Sequence, residues 1–92
     1  MHDHAEYTLA NLPEPEKGRE LRFRVGDDRY LIKPEGERFW LYLDRREIRK
    51  MSPLVTFDHR PDGTWSAADV NGFGQYEAPT HAEMLRKVIA PY

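Results

Sequence analysis

The sequence predicts an α+β fold: a single twisted antiparallel sheet of four to six strands with one C-terminal helix packed on one face. Three observations carry this. Apolar and charged residues alternate along Leu21-Arg22-Phe23-Arg24-Val25, the period of a half-buried strand. Turn residues recur at short intervals, in Gly26-Asp27-Asp28, Pro34-Glu35-Gly36-Glu37, Arg60-Pro61-Asp62-Gly63 and Asn71-Gly72-Phe73-Gly74, which leaves room for strands between them. Near the end, Thr80 and Glu83 stand at capping-box spacing, so the Thr80 hydroxyl accepts from the Glu83 amide and a helix begins.

Residues 1–18 read as a polar N-terminal arm and residues 19–92 as the single α+β domain. Pro13 and Pro15 favour extended chain over helix, and Tyr7, Leu9 and Leu12 are the arm's anchors, as a short helix or a strand edge. Leu21 to Val25 forms the first strand of the domain, and Arg29-Tyr30-Leu31-Ile32-Lys33 returns beside it. In Arg38-Phe39-Trp40-Leu41-Tyr42-Leu43 every residue after the arginine is apolar or aromatic, which predicts a central strand covered on both faces. The charged run Asp44 to Met51 is compatible with one helical turn and with a continuation of the strand. Pro53 cannot donate to a ladder, so it marks an edge or a strand entry before Leu54 to His59. Thr64 to Val70 pairs back, Gly72 and Gly74 permit a tight turn or bulge, and Gln75-Tyr76-Glu77 is one more short strand. The helix carries an apolar stripe of Ala82, Leu85, Val88 and Ile89, with Met84 at its margin. Arg86 and Lys87 suit its C-terminal dipole, and Pro91 ends it.

At 92 residues the chain makes one domain with a small core, about one layer of sheet against one helix. Eleven aromatic residues supply large buried area per side chain. With no cysteine, disulfides, thiol nucleophiles and thiolate metal sites are excluded. No apolar run approaches the roughly 20 residues of a membrane helix, and Met1 to Glu6 lacks the pattern of a signal peptide. The expectation is a cytoplasmic protein without membrane contact. The net charge of −2 conceals a segregation, because residues 19–50 hold ten cations against seven carboxylates while both flanks are acidic.

Several constellations suggest chemistry and are met by simpler readings. His2, Asp3 and His4 place two imidazoles and a carboxylate within three residues, but adjacent ligands on a terminus rarely build a specific metal site. Asp58 and His59, with Ser52, Ser66 or Asp69 nearby, have the residue types of acid–base or nucleophilic chemistry. Consecutive strand residues point to opposite faces, so Asp58 and His59 do not act as a pair. Gly72-Phe73-Gly74 ahead of a helix lacks the third glycine of a dinucleotide loop, and the chain is too short and strand-dense for parallel βαβ units. No catalytic residue, cofactor or metal is therefore expected.

The basic, aromatic middle carries the functional expectation. Arg22, Arg24, Arg29, Lys33 and Arg38 lie on strands, Trp40 and Tyr42 between them, and Arg45, Arg46, Arg49 and Lys50 follow. Arginines and flat rings on one sheet face bind phosphates and stack bases, and a sheet with a helix is also the layout of some DNA-binding domains. Interspersed carboxylates make a polyanion the weaker partner. Trp, Tyr and Arg are the residue types of protein interface hot spots. If Phe39, Leu41 and Leu43 pack under the helix, Trp40 and Tyr42 occupy the opposite face, to be covered by the arm, a second subunit or a foreign protein. The expected function is a non-catalytic protein-binding module whose partner-binding residues are Trp40, Tyr42, Arg22, Arg24, Arg38, Arg45 and Arg46, with nucleic-acid binding as the alternative. Small single domains of this kind include adaptors and stoichiometric inhibitors, among them those by which mobile elements of prokaryotes and phages block host nucleases such as CRISPR effectors.

Overall fold

The computed structural model describes residues 7–45, 48–72 and 74–89. Seven strands run in sequence order across one strongly curled sheet: β1 (Tyr7–Thr8), β2 (Leu21–Val25), β3 (Asp28–Glu35), β4 (Arg38–Arg45), β5 (Lys50–His59), β6 (Trp65–Asp69) and β7 (Gln75–Ala78). Helix α1 (His81–Ile89) closes the described chain. The class is α+β as expected, but the sheet is larger than four to six strands and is mixed rather than antiparallel. The extra strand is β1, which pairs parallel to β2 with Tyr7 beside Phe23. Two residues are too few to show a strand period in sequence. The parallel sense follows from the connection, since Leu9 to Glu20 supplies the dozen residues that a crossover needs.

That connection runs over the helix side of the sheet. Leu12 and Pro15 are buried there, and Leu12 belongs to the core cluster that Tyr7 and Leu9 pack against. The segment is pinned along its first part. Thr8 N–H donates to Asn11 Oδ1 at 2.7 Å, and His81 Nε2 lies 2.9 Å from the Leu12 carbonyl oxygen, which can only accept a proton from the ring. Residues 7–15 thus complete the core on the helix side.

Hairpin geometry sets the register. β2 and β3, and again β3 and β4, are joined by two-residue loops whose first residues, Gly26 and Gly36, have φ of 62° and 65°. That is the position a type II′ turn reserves for glycine. Between β5 and β6, Gly63 N–H donates to the Arg60 carbonyl at 2.9 Å and Arg60 N–H to the Thr64 carbonyl at 2.8 Å, so the Arg60-Pro61-Asp62-Gly63 signature forms the turn it predicts. Thr64 N–H also donates to Asp62 Oδ1, and this bond holds the Asp62 carboxyl below its ordinary range. Of the charged run after Leu43, Asp44 and Arg45 continue β4 and Lys50 and Met51 open β5, while Ile48 lies in a short 3₁₀ turn and Arg49 takes a positive φ of 51°; residues 46 and 47 lie outside the described residues.

One face of every long strand enters the core. Leu21, Phe23, Tyr30, Ile32, Phe39, Leu41, Val55, Phe57, Trp65, Ala67 and Ala78 meet Met84, Leu85 and Ile89 of α1. The Thr80 cap forms, with Glu83 N–H donating to Thr80 Oγ1 at 3.2 Å. The apolar stripe of the helix is rotated from the expected one, however, because Met84 is fully buried while Ala82 and Val88 are only partly so. The stripe begins at His81, whose ring meets Trp65 edge-on at 5.9 Å. Starting from an apolar residue sets the phase wrongly. Trp65 also stacks on His59 at 4.2 Å and tilts against Phe57 and Phe39. Across the outer edge, Lys87 Nζ donates to the Glu77 carbonyl at 2.9 Å, occupying an acceptor of edge strand β7 that another strand would otherwise seek.

Replacing Leu12 tests whether the N-terminal segment is part of the core. Leu12→Ala is expected to lower unfolding stability by about 2–4 kcal/mol, the range for a truncated core leucine, in chemical denaturation followed by circular dichroism. A change below about 0.5 kcal/mol would show the segment to be an appendage.

Candidate partner-binding face

The pleat sends the residues between the core positions to the opposite face. In cross-strand register the outward side chains form rows: Arg24, Arg29, Asp44 and Met51; then Arg22, Leu31, Tyr42 and Pro53; then Lys33, Trp40, Thr56 and Ala68. A further row holds Glu35 beside Arg38 on β3 and β4, and Asp58 beside Ser66 on β5 and β6. With Phe39 and Leu41 in the core and Leu43 packed against it, Trp40 and Tyr42 stand on the far side from α1. Their rings stack with centroids 6.2 Å apart and planes at 19°, and both are only partly buried.

Leu31 is the residue that sequence reasoning missed. It is 6% exposed yet lies outside the core cluster, on the same face as Trp40 and Tyr42. Tyr42 and Arg22 flank it in the same row, and Arg22 lies against β3. That side chain reaches from β2 to β4, where its Nη1 lies 3.7 Å from Asp44 Oδ2, and the path crosses β3 beside Leu31. Arginine stems commonly shield apolar surface in this way while the guanidinium stays wet. The signal was present in the triplet Tyr30-Leu31-Ile32, which is apolar on both faces of its strand.

The position of Tyr42 depends on a bulge. Leu41 pairs with Val55 and Tyr42 with Pro53, so Leu54 has no residue opposite it and is the inserted one. A bulge sharpens local twist and re-aims the side chains beside it. Leu54 remains tied in, since its carbonyl accepts from Val70 N–H at 3.1 Å.

Among the expected partner-binding residues, Arg22, Arg24, Arg38, Trp40 and Tyr42 share this face. Arg45 does not, because it follows the core-side parity of Leu41 and Leu43, and Arg46 lies outside the described residues. Arg24, Arg29 and Asp44 are engaged in interactions of their own, whereas Arg38, Lys33 and Glu35 have no hydrogen bond or ion pair among the described residues. Beside Trp40 is a shallow depression of about 180 Å³ floored by Thr56, Ser66 and Ala68. Arg38, Asp58 and Arg60 wall it, and Arg60 is held there by Ser66 Oγ at 3.0 Å and Glu77 Oε2 at 3.1 Å. The face is therefore aromatic at its centre and mixed in charge around it.

The other candidates separate. Asp58 lines the depression while His59 stacks on Trp65 and approaches the Gly63 carbonyl at 3.2 Å, so the two point apart as the strand period requires. His2, Asp3 and His4 lie outside the described residues, as does Phe73. Among the described residues no group of three or more His, Asp or Glu side chains is placed to hold a metal ion, and no helix is long and apolar enough to cross a membrane. Comparison with known proteins finds no matching family model, no matching curated protein and no matching solved structure.

The two tryptophans should respond differently to truncation. Trp40→Ala is expected to cost about 1 kcal/mol, the scale of a cross-strand aromatic pair, and Trp65→Ala about 3–5 kcal/mol as a core cavity. Urea denaturation of the two variants reads the difference, and equal losses would contradict the assignment of Trp40 to an outer face.

Proposed function

We propose that the protein is a non-catalytic protein-binding module that uses the sheet face opposite its helix. The observation that carries this reading is the stacked, partly exposed Trp40–Tyr42 pair, seated on a rigid sheet beside Leu31 and ringed by arginines. Large flat side chains of few rotamers lose little entropy when covered, and they are the usual centre of interface energy. Residues 7–15 pack on the helix side, so this part of the chain leaves Trp40 and Tyr42 open. A stoichiometric inhibitor is one form such a module takes.

The charge pattern favours a protein over a nucleic acid. Phosphates recur along a strand at short, regular spacing, and here carboxylates stand among the cations of the face: Asp44 by Arg22, Glu35 by Arg38, and Asp58 between Arg38 and Arg60. A polyanion laid across this face meets repulsion at Glu35, Asp44 and Asp58 as well as attraction at the cations. A protein surface with both signs does not.

Affinity capture on the immobilised protein, with Trp40→Ala and Tyr42→Ala as matched controls, tests the reading. A specific protein should be retained at about 0.5 M salt by the wild type and lost, by at least about tenfold, in either variant. Retention that both variants leave unchanged would move the interface elsewhere. A mobility shift of single- or double-stranded oligonucleotides that weakens steeply with salt would replace the reading with the nucleic-acid alternative.

A further inference from the structure

The outward residues of β4 read Arg38, Trp40, Tyr42, Asp44: a cation, two stacked rings and an anion, spaced evenly along one strand. Such a pattern is complementary to itself when reversed. If two copies pack outer face to outer face, with a two-fold axis crossing β4 midway between Trp40 and Tyr42, the strands run antiparallel across the interface. Arg38 then stands opposite Asp44 of the other copy, and Trp40 opposite its Tyr42. The same operation acts on β3, whose outward residues are Arg29, Leu31, Lys33 and Glu35 and whose register with β4 is unbroken from Arg29–Asp44 to Glu35–Arg38. It places Arg29 opposite Glu35. Two independent opposite-charge pairs thus arise, each occurring twice by symmetry, around a centre made of four aromatic rings, with each Leu31 opposite Lys33 of the other copy.

We infer that the outer face is self-complementary and that its occupant in the free protein is a second copy of this chain, in an isologous dimer. This rests on the reading of the face as a protein-binding surface and names its partner. An isologous contact requires one patch to match itself after a two-fold rotation; β4 meets that requirement in charge and aromatic character, and β3 meets it in charge at Arg29 and Glu35. Arg38 and Glu35, which have no ion pair among the described residues, gain one. Face-to-face sheets pack about 10 Å apart with strands within about 30° of parallel, a distance that side chains of these lengths span. The patch is small. Four strands at about 4.8 Å spacing present a footprint well below that of a standard-size interface, so the dimer is a weak one, with dissociation constant of about 10 µM to 1 mM, and a tighter foreign partner displaces it.

Sedimentation equilibrium from about 10 µM to 1 mM decides the matter. The weight-average mass of the wild type should rise with concentration from 10.9 kDa toward twice that value, and Trp40→Ala should stay monomeric. Arg38→Asp alone and Asp44→Arg alone each juxtapose like charges, so each should weaken association at least about tenfold. Mixed together, the two variants should associate again, because a heterodimer of them restores opposite charge at both symmetry-related contacts. Circular dichroism of each variant confirms its fold, and the mixture cannot recover association if either is misfolded. A wild type that remains monomeric to 1 mM, self-association indifferent to these substitutions, or a mixture no more associated than its components would each overturn the inference. If the wild type is monomeric but captures another protein through Trp40, the dimer alone fails; if it does neither, the protein-binding reading fails with it.

Discussion

A short helix has to cover one face of a wide sheet, and the rest of the structure follows from that mismatch. Nine residues of α1 make a rod of about 13.5 Å, whereas seven strands at about 4.8 Å spacing span about 29 Å if laid flat. A flat sheet would leave half of its apolar face wet. The sheet curls around the helix instead, bringing Leu21 and Phe23 of β2 into the same cluster as Trp65 of β6 and Ala78 of β7. The gap that remains is filled by the N-terminal segment, with Leu12 inside the cluster and its carbonyl joined to His81 at the first turn of the helix. Trp65 is the hinge of this arrangement, since it touches β4 through Phe39, β5 through Phe57 and His59, and the helix through His81.

Much of this was legible in the residues, and the failures have physical causes. Alternation located β2, an unbroken apolar run located β4, and the turns between them marked out the other strands as far as β6, because turn chemistry and strand patterning are properties of a few neighbouring residues. The capping hydroxyl of Thr80 was legible for the same reason. β1 was not. A two-residue strand has no period, and its pairing with Phe23 is decided by where Leu12 can be buried, which is a tertiary matter. The phase of the helix was misread because His81 counts as polar in a sequence and as an aromatic plate against Trp65 in the fold. The candidate face was legible in its aromatic centre, through the parity of Phe39, Leu41 and Leu43. Its apolar floor at Leu31 was signalled only by the triplet Tyr30-Leu31-Ile32, and the depth of its burial depends on the neighbouring strands, which no local pattern announces. The parity argument also removes Arg45 from the face, which a count of nearby cations had included.

Curling has a second consequence for the outer face. A sheet concave toward its helix is convex on the other side, so outward side chains splay and cannot close into a deep pocket. That accounts for a shallow depression near Trp40 in place of a cleft, and it limits contact with any flat partner to the crest, where β3 and β4 lie. The crest is where Leu31, Trp40 and Tyr42 stand. The bulge at Leu54 acts at the same place, adding twist beside Tyr42 and putting Pro53, which has no N–H to present, opposite it. Shape and chemistry therefore converge on one ridge two strands wide, whose apolar content is Leu31, Trp40 and Tyr42. Recognition on such a ridge depends on how charges are spaced along it, since a convex surface holds few of them in contact at once. Arg38 and Asp44 stand at equal distances on either side of the aromatic pair with opposite signs, so the charge along the ridge has a direction.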